Sequence, residues 1–282
     1  MSKVVEIVTR RIMEALKNGV PPWKKPWTGS SPFPYNVHTG RNYSGINALA
    51  LSSWVCDYEE PAWGTKNQIH QLGGELKPNQ DYMPAMFVGE AKDSNGLYSG
   101  KKFARFYRVY NIAQCTGIKI ARDMADRDNE KDTTAEGVIE AMPNPPRIEH
   151  GHRGCSYVPM SDLVRMPDIN KFDNAEHYYR AKFHELGHST GHVSRLDRDM
   201  KALLADKHSY SEEELVAELT ASYVCAYVGM TSEEESSASY CDVWYKRLDE
   251  DRSILVRASR KAFKAFNYII GESTEPKKNL NQ

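Results

Sequence analysis

The run Phe183-His184-Glu185-Leu186-Gly187-His188-Ser189-Thr190-Gly191-His192 constrains this chain more than any other stretch. It holds a His-Glu-x-x-His pattern. On an α-helix, side chains at i and i+4 lie one above the other, so His184 and His188 present two imidazoles to one point, as a zinc ion requires. Glu185 follows His184 by about 100° round the helix. It therefore stands beside the metal position, where a general base for an attacking water belongs. The flanks favour a helix: Asp173 and Glu176 have capping-box spacing, residues 174–190 contain no proline, and Gly191 is placed to end the run. Two histidines at this spacing also arise by chance on a partly exposed helix, but Phe183, Leu186 and the small Gly187 suit the buried side of an active-site helix.

A catalytic zinc site takes three protein ligands and leaves one position open. His192 is four residues beyond His188, yet past Gly191 its direction is not set. The longer pattern His-Glu-x-x-His-x-x-Gly-x-x-His needs histidine at 194, where Ser194 stands. The better source is the downstream helix that starts at Ser211, in which Glu214 and Glu218 are i, i+4 on one face. Glu214 is the preferred third ligand, with Glu218 as a supporting carboxylate one turn on. Ser211 and Glu214 also have capping-box spacing, and if Glu214 only caps, Glu218 is the ligand. The expected set is one zinc ion on His184, His188 and Glu214, with Glu185 catalytic.

Charge divides the chain. Residues 1–123 hold 16 Lys+Arg against 10 Asp+Glu, whereas residues 124–282 hold 21 against 28. Four of the five tryptophans lie in the first part. A basic, aromatic-rich part joined to an acidic one points to two domains with different partners. The boundaries are drawn at 1–123 and 135–282, with the highly charged residues 124–134 as linker. The five cysteines are scattered and odd in number, without a Cys-x-x-Cys pair. They read as reduced thiols of a cytoplasmic protein and leave any metal to histidine and carboxylate. No apolar run reaches the roughly 18 residues that span a membrane, and the N-terminus does not resemble a secretory signal.

The expected fold class is α+β in both parts. The N-terminal part should hold a helix over 2–18, an extended path through the prolines at 21–27, a short helix on the apolar run 46–51 within 43–54, and a helix capped by Thr65. Strands over 82–89 and 102–112 should form a small antiparallel sheet. The C-terminal part should be mainly helical with a small sheet: helices over 134–142, 174–190 and 211–227, short strands near 148–150 and 155–158, and one long helix over 241–266.

Single-stranded nucleic acid is held by aromatic platforms with cations along the backbone. Trp23-Lys24-Lys25-Pro26-Trp27 has that makeup, as does the strand from Lys101 to Arg108, with Arg105 and Arg108 among its aromatics. The same aromatics could equally be the core of a small domain. The loop Asn36 to Asn42, with Arg41, reads as a turn or as a phosphate contact.

Several of these stretches together resemble the ArdC antirestriction family. They are Pro22-Trp23-Lys24-Lys25-Pro26-Trp27, Pro34-Tyr35-Asn36 with Thr39 to Asn47, Trp63 to Gln68, Tyr107 to Gln114, the His-Glu-x-x-His run with Arg195 and Arg198, and Glu213 to Leu219. The likeness runs in order over about residues 5–230, and the tail beyond departs from these motifs. The resemblance implies an N-terminal single-stranded-DNA-binding domain, shared with TraC-like primases, and a C-terminal zincin-like metallopeptidase domain. It implies a plasmid- or phage-borne protein that protects incoming DNA from host restriction. The candidate DNA contacts are Trp23, Lys24, Lys25, Trp27, Asn36, Arg41, Tyr43, Asn47, Arg105 and Arg108, and the candidate substrate or target is a host restriction or defence protein. His192 and Tyr157 stand as candidates to stabilise an oxyanion. The alternative is a non-enzymatic DNA-binding protein whose zinc is structural, with His192 closing the site.

Overall fold

A computed structural model describes residues 3–21, 23, 34–52, 58, 60–92, 98–118, 135–200, 211–230 and 238–272. Lys24, Lys25, Trp27 and the expected linker 124–134 lie outside the described residues. The chain clusters into two units, one of residues 1–11 and 28–124, the other of residues 12–27 and 125–282. The class is α+β in two parts, as the patterning indicated.

In chain order the helices are α1 (Lys3–Lys17), α2 (Ile46–Ala50), α3 (Lys66–Gln71), α4 (Ala135–Ala141), α5 (Ala175–Ser189), α6 (Glu212–Tyr227), α7 (Ala238–Glu250) and α8 (Ile254–Ile269). The strands are β1 (Tyr35–Asn36), β2 (Ala62–Thr65), β3 (Glu75–Leu76), β4 (Met83–Lys92), β5 (Tyr98–Asn111), β6 (Cys115–Thr116), β7 (Arg147–Glu149), β8 (Ser156–Val158) and β9 (Leu163–Arg165). In α1, Val5, Val8, Ile12, Met13 and Leu16 are buried, the single stripe that helical spacing requires.

The first unit is built on a sheet of order β1-β2-β5-β4. It is antiparallel except for the two-residue β1, which runs parallel to β2. The long β4–β5 ribbon carries the aromatic and basic residues singled out in the sequence. Thr65 caps α3 in a full capping box with Gln68.

In the second unit, α6 packs between α5 and α8. From Leu215 to Ala226 every residue of α6 is buried, which fits a helix covered on all sides. A small sheet of order β7-β9-β8 lies beside α5. Two expectations are corrected here. The cap of α5 is Asn174, whose side chain accepts from the His177 amide at 2.8 Å, and not Asp173. The single helix expected over 241–266 is two, because the Asp251 carboxylate accepts from the Ser253 amide at 3.0 Å and turns the chain between α7 and α8.

Candidate functional site

The α5 stretch folds as expected, and α6 crosses it at the level of the histidines. Two imidazoles and one carboxylate converge there. His184 Nε2 lies 3.1 Å from His188 Nε2 and 3.3 Å from Glu214 Oε1, and His188 Nε2 lies 3.5 Å from Glu214 Oε2. With one ligand atom from each residue, the three groups lie within 4.8 Å of one another, close enough to share one cation at ligand bonds of about 2.0–2.1 Å after a small turn of the Glu214 carboxylate. Among the described residues, this is the trio of histidine, cysteine and acidic groups that could hold a cation. Two imidazoles and one carboxylate form a borderline donor set that suits a divalent zinc-like ion.

The electrostatics match a site built for positive charge. Burial alone would push His188 down, but Glu213 and Glu214 outweigh it and hold it up at about 10. Burial works against the Glu214 carboxylate too, yet both histidines hold it well below the usual carboxylate range. Glu185 is 7% exposed on the same helix. The Cys155 thiol nearby is pushed up to about 11, by burial first and by the Glu185 charge second.

The three glutamates that open α6 point three ways, as a step of about 100° per residue requires. Glu212 takes Arg257 and Lys261, each at 2.6 Å. Glu214 faces the two histidines. Glu213 is gripped by Arg198 and lies 3.5 Å from His188 Nδ1. Sequence reasoning missed Glu213, because a run of glutamates after a serine cap reads as one acidic first turn.

Glu218, the alternative ligand, faces elsewhere. It accepts from Tyr240 Oη at 2.9 Å and from Arg180 at 3.4 Å. His192 shares its Nδ1 with Ser194 Oγ at 2.8 Å. Tyr157 donates to Asp162 at 2.9 Å, and Arg195 clamps that carboxylate while its Nε donates to Ser189 O at the end of α5. Neither oxyanion candidate is therefore idle.

The expected DNA-contacting residues separate into two kinds. Trp23 is fully buried in the second unit, edge-on to Trp244 at 5.5 Å, with its Nε1 donating to Tyr240 at 3.1 Å. It offers no face for a base to stack on. Asn36 donates to Tyr43 Oη and Gln68, while its Oδ1 accepts from the His38 and Thr39 amides, so its amide builds the turn. The Tyr43 phenol is pushed up by burial, with Asn36 working the other way. Asn47 holds the Met86 backbone through both amide atoms, at 2.6 and 2.8 Å. These residues shape the unit from within.

Arg41 and the β4–β5 ribbon are at the surface. Arg105 and Arg108 are exposed, as are Phe87 (51%), Phe106 (49%) and Tyr107 (42%). Register puts Phe87 opposite Arg105, Gly89 opposite Phe103 and Ala85 opposite Tyr107. Phe87, Phe103, Arg105 and Tyr107 thus share one face of the ribbon. The Arg105 guanidinium lies 5.1 Å over the Phe103 ring, and Arg108 lies 4.7 Å over Tyr82.

Comparison with known proteins follows the same division. A family model described as the N-terminal domain of anti-restriction factor ArdC matches residues 2–134, and one for a zincin-like metallopeptidase matches residues 134–261. Two DNA primases TraC of Escherichia coli are 29% and 28% identical over 94% of this chain, which spans 27% and 20% of their lengths. Uncharacterized protein y4eC of Sinorhizobium fredii is 27% identical over 98% of this chain and 94% of its own. Crystal structures of the antirestriction ArdC protein from the R388 plasmid match over 95% of this chain and 97% of theirs. The metal-free form has TM-score 0.73 and 30% identity, and the Mn(II)-bound form 0.75 and 29%. A zincin-like domain implies a metal ion, and no helix among the described residues is long and apolar enough to cross a membrane. With both family models in order and an antirestriction protein matched along almost its whole length, the chain belongs to the ArdC antirestriction family.

Proposed function

We propose that this chain is a plasmid- or phage-borne antirestriction protein of the host cytoplasm. In this reading it holds single-stranded DNA with its first part, and its second part is a zinc-dependent metallopeptidase centre acting on a host restriction or defence protein. The observation that carries the second half is the convergence of His184, His188 and Glu214 on one point. When bound there, zinc supplies a Lewis acid for a peptide carbonyl and lowers the pKa of water. His184 and His188 would hold the cation, and Glu214 would neutralise part of its charge. Glu185 takes the proton of the attacking water and passes it to the leaving amine. Among the described residues, the group that could hold a cation is His184, His188 and Glu214 without His192, which favours three protein ligands over a closed structural site.

The DNA half rests on the ribbon face where Phe87, Arg105 and Tyr107 are exposed beside the half-buried Phe103, with Arg108 and Arg41 as further cations. Bases stack on such rings at about 1–3 kcal/mol each, and the cations follow the phosphates. Lys24, Lys25 and Trp27 remain part of the proposal on their residue types. The division into domains 1–123 and 135–282 is likewise proposed, with residues 12–27 now counted with the second unit.

Metal analysis of the purified chain and a single-stranded DNA titration test the two halves. One zinc per chain, lost in H184A, supports the centre, and cleavage or protection that survives E185Q with zinc retained sinks the peptidase mechanism. Single-strand binding should weaken steeply with salt. R105A should flatten the logarithmic salt slope by about one phosphate's worth, and an unchanged slope removes Arg105 from the interface.

A further inference from the structure

We propose that Glu213, held by Arg198, is the positioning carboxylate of the metal centre: it fixes the tautomer and the ring plane of His188. The inference rests on the metal-centre reading and adds a residue to it. An imidazole gives its Nε2 lone pair to a cation only when Nδ1 carries the proton. A buried N–H without an acceptor is unfavourable, so metal-bound histidines hand that proton to a carboxylate, a carbonyl or water. In His188, Nδ1 is buried and makes no hydrogen bond of standard geometry. Glu213 Oε1 faces it at 3.5 Å, at the outer limit of a hydrogen bond. Nε2, on the other side of the ring, points at Glu214 and His184.

Glu213 is itself 5% exposed, so its charge needs a partner. Arg198 provides one with two contacts, Nε to Oε2 at 3.0 Å and Nη2 to Oε1 at 2.5 Å. The guanidinium is fastened in turn to the helix that carries His188: Nη2 donates to Gly187 O at 2.8 Å and Nη1 to Thr190 Oγ1 at 2.5 Å. From α5 through Arg198 and Glu213 back to His188 the contacts form a closed ring, and the carboxylate cannot swing away from the imidazole. Glu218, which the sequence suggested for a supporting role, is engaged with Arg180 and Tyr240 instead.

Zinc affinity of the full chain, read by competition with a chromophoric chelator, tests this. E213A should weaken binding by about 10–100-fold, the range for groups that orient metal-bound histidines, and the isosteric E213Q by about tenfold. E212Q serves as the control, because it breaks only the pairs with Arg257 and Lys261. It should leave zinc affinity within about twofold while lowering thermal stability. In 15N spectra of the zinc-loaded chain, the His188 Nδ1 proton should exchange faster in E213Q, a change that general loosening of the fold would not confine to that ring. Should E213A fail to fold, E213Q carries the test. Parent-like zinc affinity in E213Q, or an equal loss in E212Q, overturns the proposal. A parent chain that binds no zinc, or whose zinc survives H184A, overturns the metal centre and this inference with it.

Discussion

Gly187 lies directly against Ala217. A Cβ built on Gly187 would sit 3.2 Å from the Ala217 Cα and 3.2 Å from the Thr220 Cβ, tighter than packed side chains ordinarily accept. His184 and His188 lie on either side of Gly187 in α5, and Glu214 precedes Ala217 by three residues in α6. A close approach of the two helices thus falls beside His184, His188 and Glu214, and it depends on the missing side chain at 187.

The G187A variant should therefore be doubly affected. Overpacking costs about 1–3 kcal/mol, partly offset by the roughly 1 kcal/mol that alanine gains over glycine in a helix. A forced separation of α5 and α6 also draws Glu214 from the imidazoles, so zinc affinity should fall by more than the stability does. Thermal melts and zinc titration of the same samples check this. A variant that melts lower but binds zinc like the parent would show that spacing and ligation are not linked.

Trp23 supplies the second prediction. Truncating a fully buried tryptophan costs about 3–5 kcal/mol, so W23A should melt well below the parent. W23F keeps most of the packing against Trp244 and loses only the bond to Tyr240. If Trp23 is a core residue, W23F should bind single-stranded DNA as the parent does, whereas Y107A on the exposed ribbon should not. A selective loss of DNA affinity in W23F would restore Trp23 to the interface.

These cases show what the sequence could disclose. That His184 and His188 share one helix face was legible from their spacing, and so were the caps at Thr65 and Ser211; the spacing of Glu214 and Glu218 left open which of the two meets the histidines, and the crossing of α6 over α5 brings Glu214 there. Glu213 was not, since its role depends on Arg198, fifteen residues away and beyond the end of α5. Asn36 and Asn47 look like surface amides in the sequence. Only Gln68 and the Met86 backbone, brought together by the sheet, show that both ends are occupied. Trp23 beside two lysines has the composition of a DNA platform, and nothing local reveals Trp244 or Tyr240 waiting more than two hundred positions on. The break between α7 and α8 was hidden because Asp251 and Ser253 act through a turn that a helical pattern tolerates.

Asn47 leads to the third prediction. Its amide serves as a partner strand for one residue of the edge strand β4, closing both backbone groups of Met86. N47A removes both bonds at once and should cost about 1–3 kcal/mol. Hydrogen exchange should localise the change, with the Met86 amide losing protection while the α5–α6 core keeps its own. If N47A abolishes DNA binding with Met86 protection unchanged, Asn47 touches the nucleic acid directly.

The fourth prediction concerns pH and the clamp at the end of α5. Burial opposes the charge on Asp162, but Arg195 and the Tyr157 hydroxyl outweigh it and hold the carboxyl below its ordinary value of 3.8. A carboxyl depressed in the folded state binds its proton more readily when the chain unfolds. Its contribution is therefore fully present above the ordinary carboxylate pKa and is lost as pH falls through the depressed one. The parent should lose thermal stability below about pH 4 more steeply than D162N, which has no carboxyl to protonate there. Above that range D162N should be the less stable of the two, because Arg195 then lacks its charged partner. Arg195 also holds Ser189 O, so D162N should loosen the last turn of α5 as well, seen as faster exchange of the Thr190 and Gly191 amides at neutral pH. Parallel stability curves for the two proteins from neutral pH down to pH 3 would show that Asp162 takes no part in the acid response.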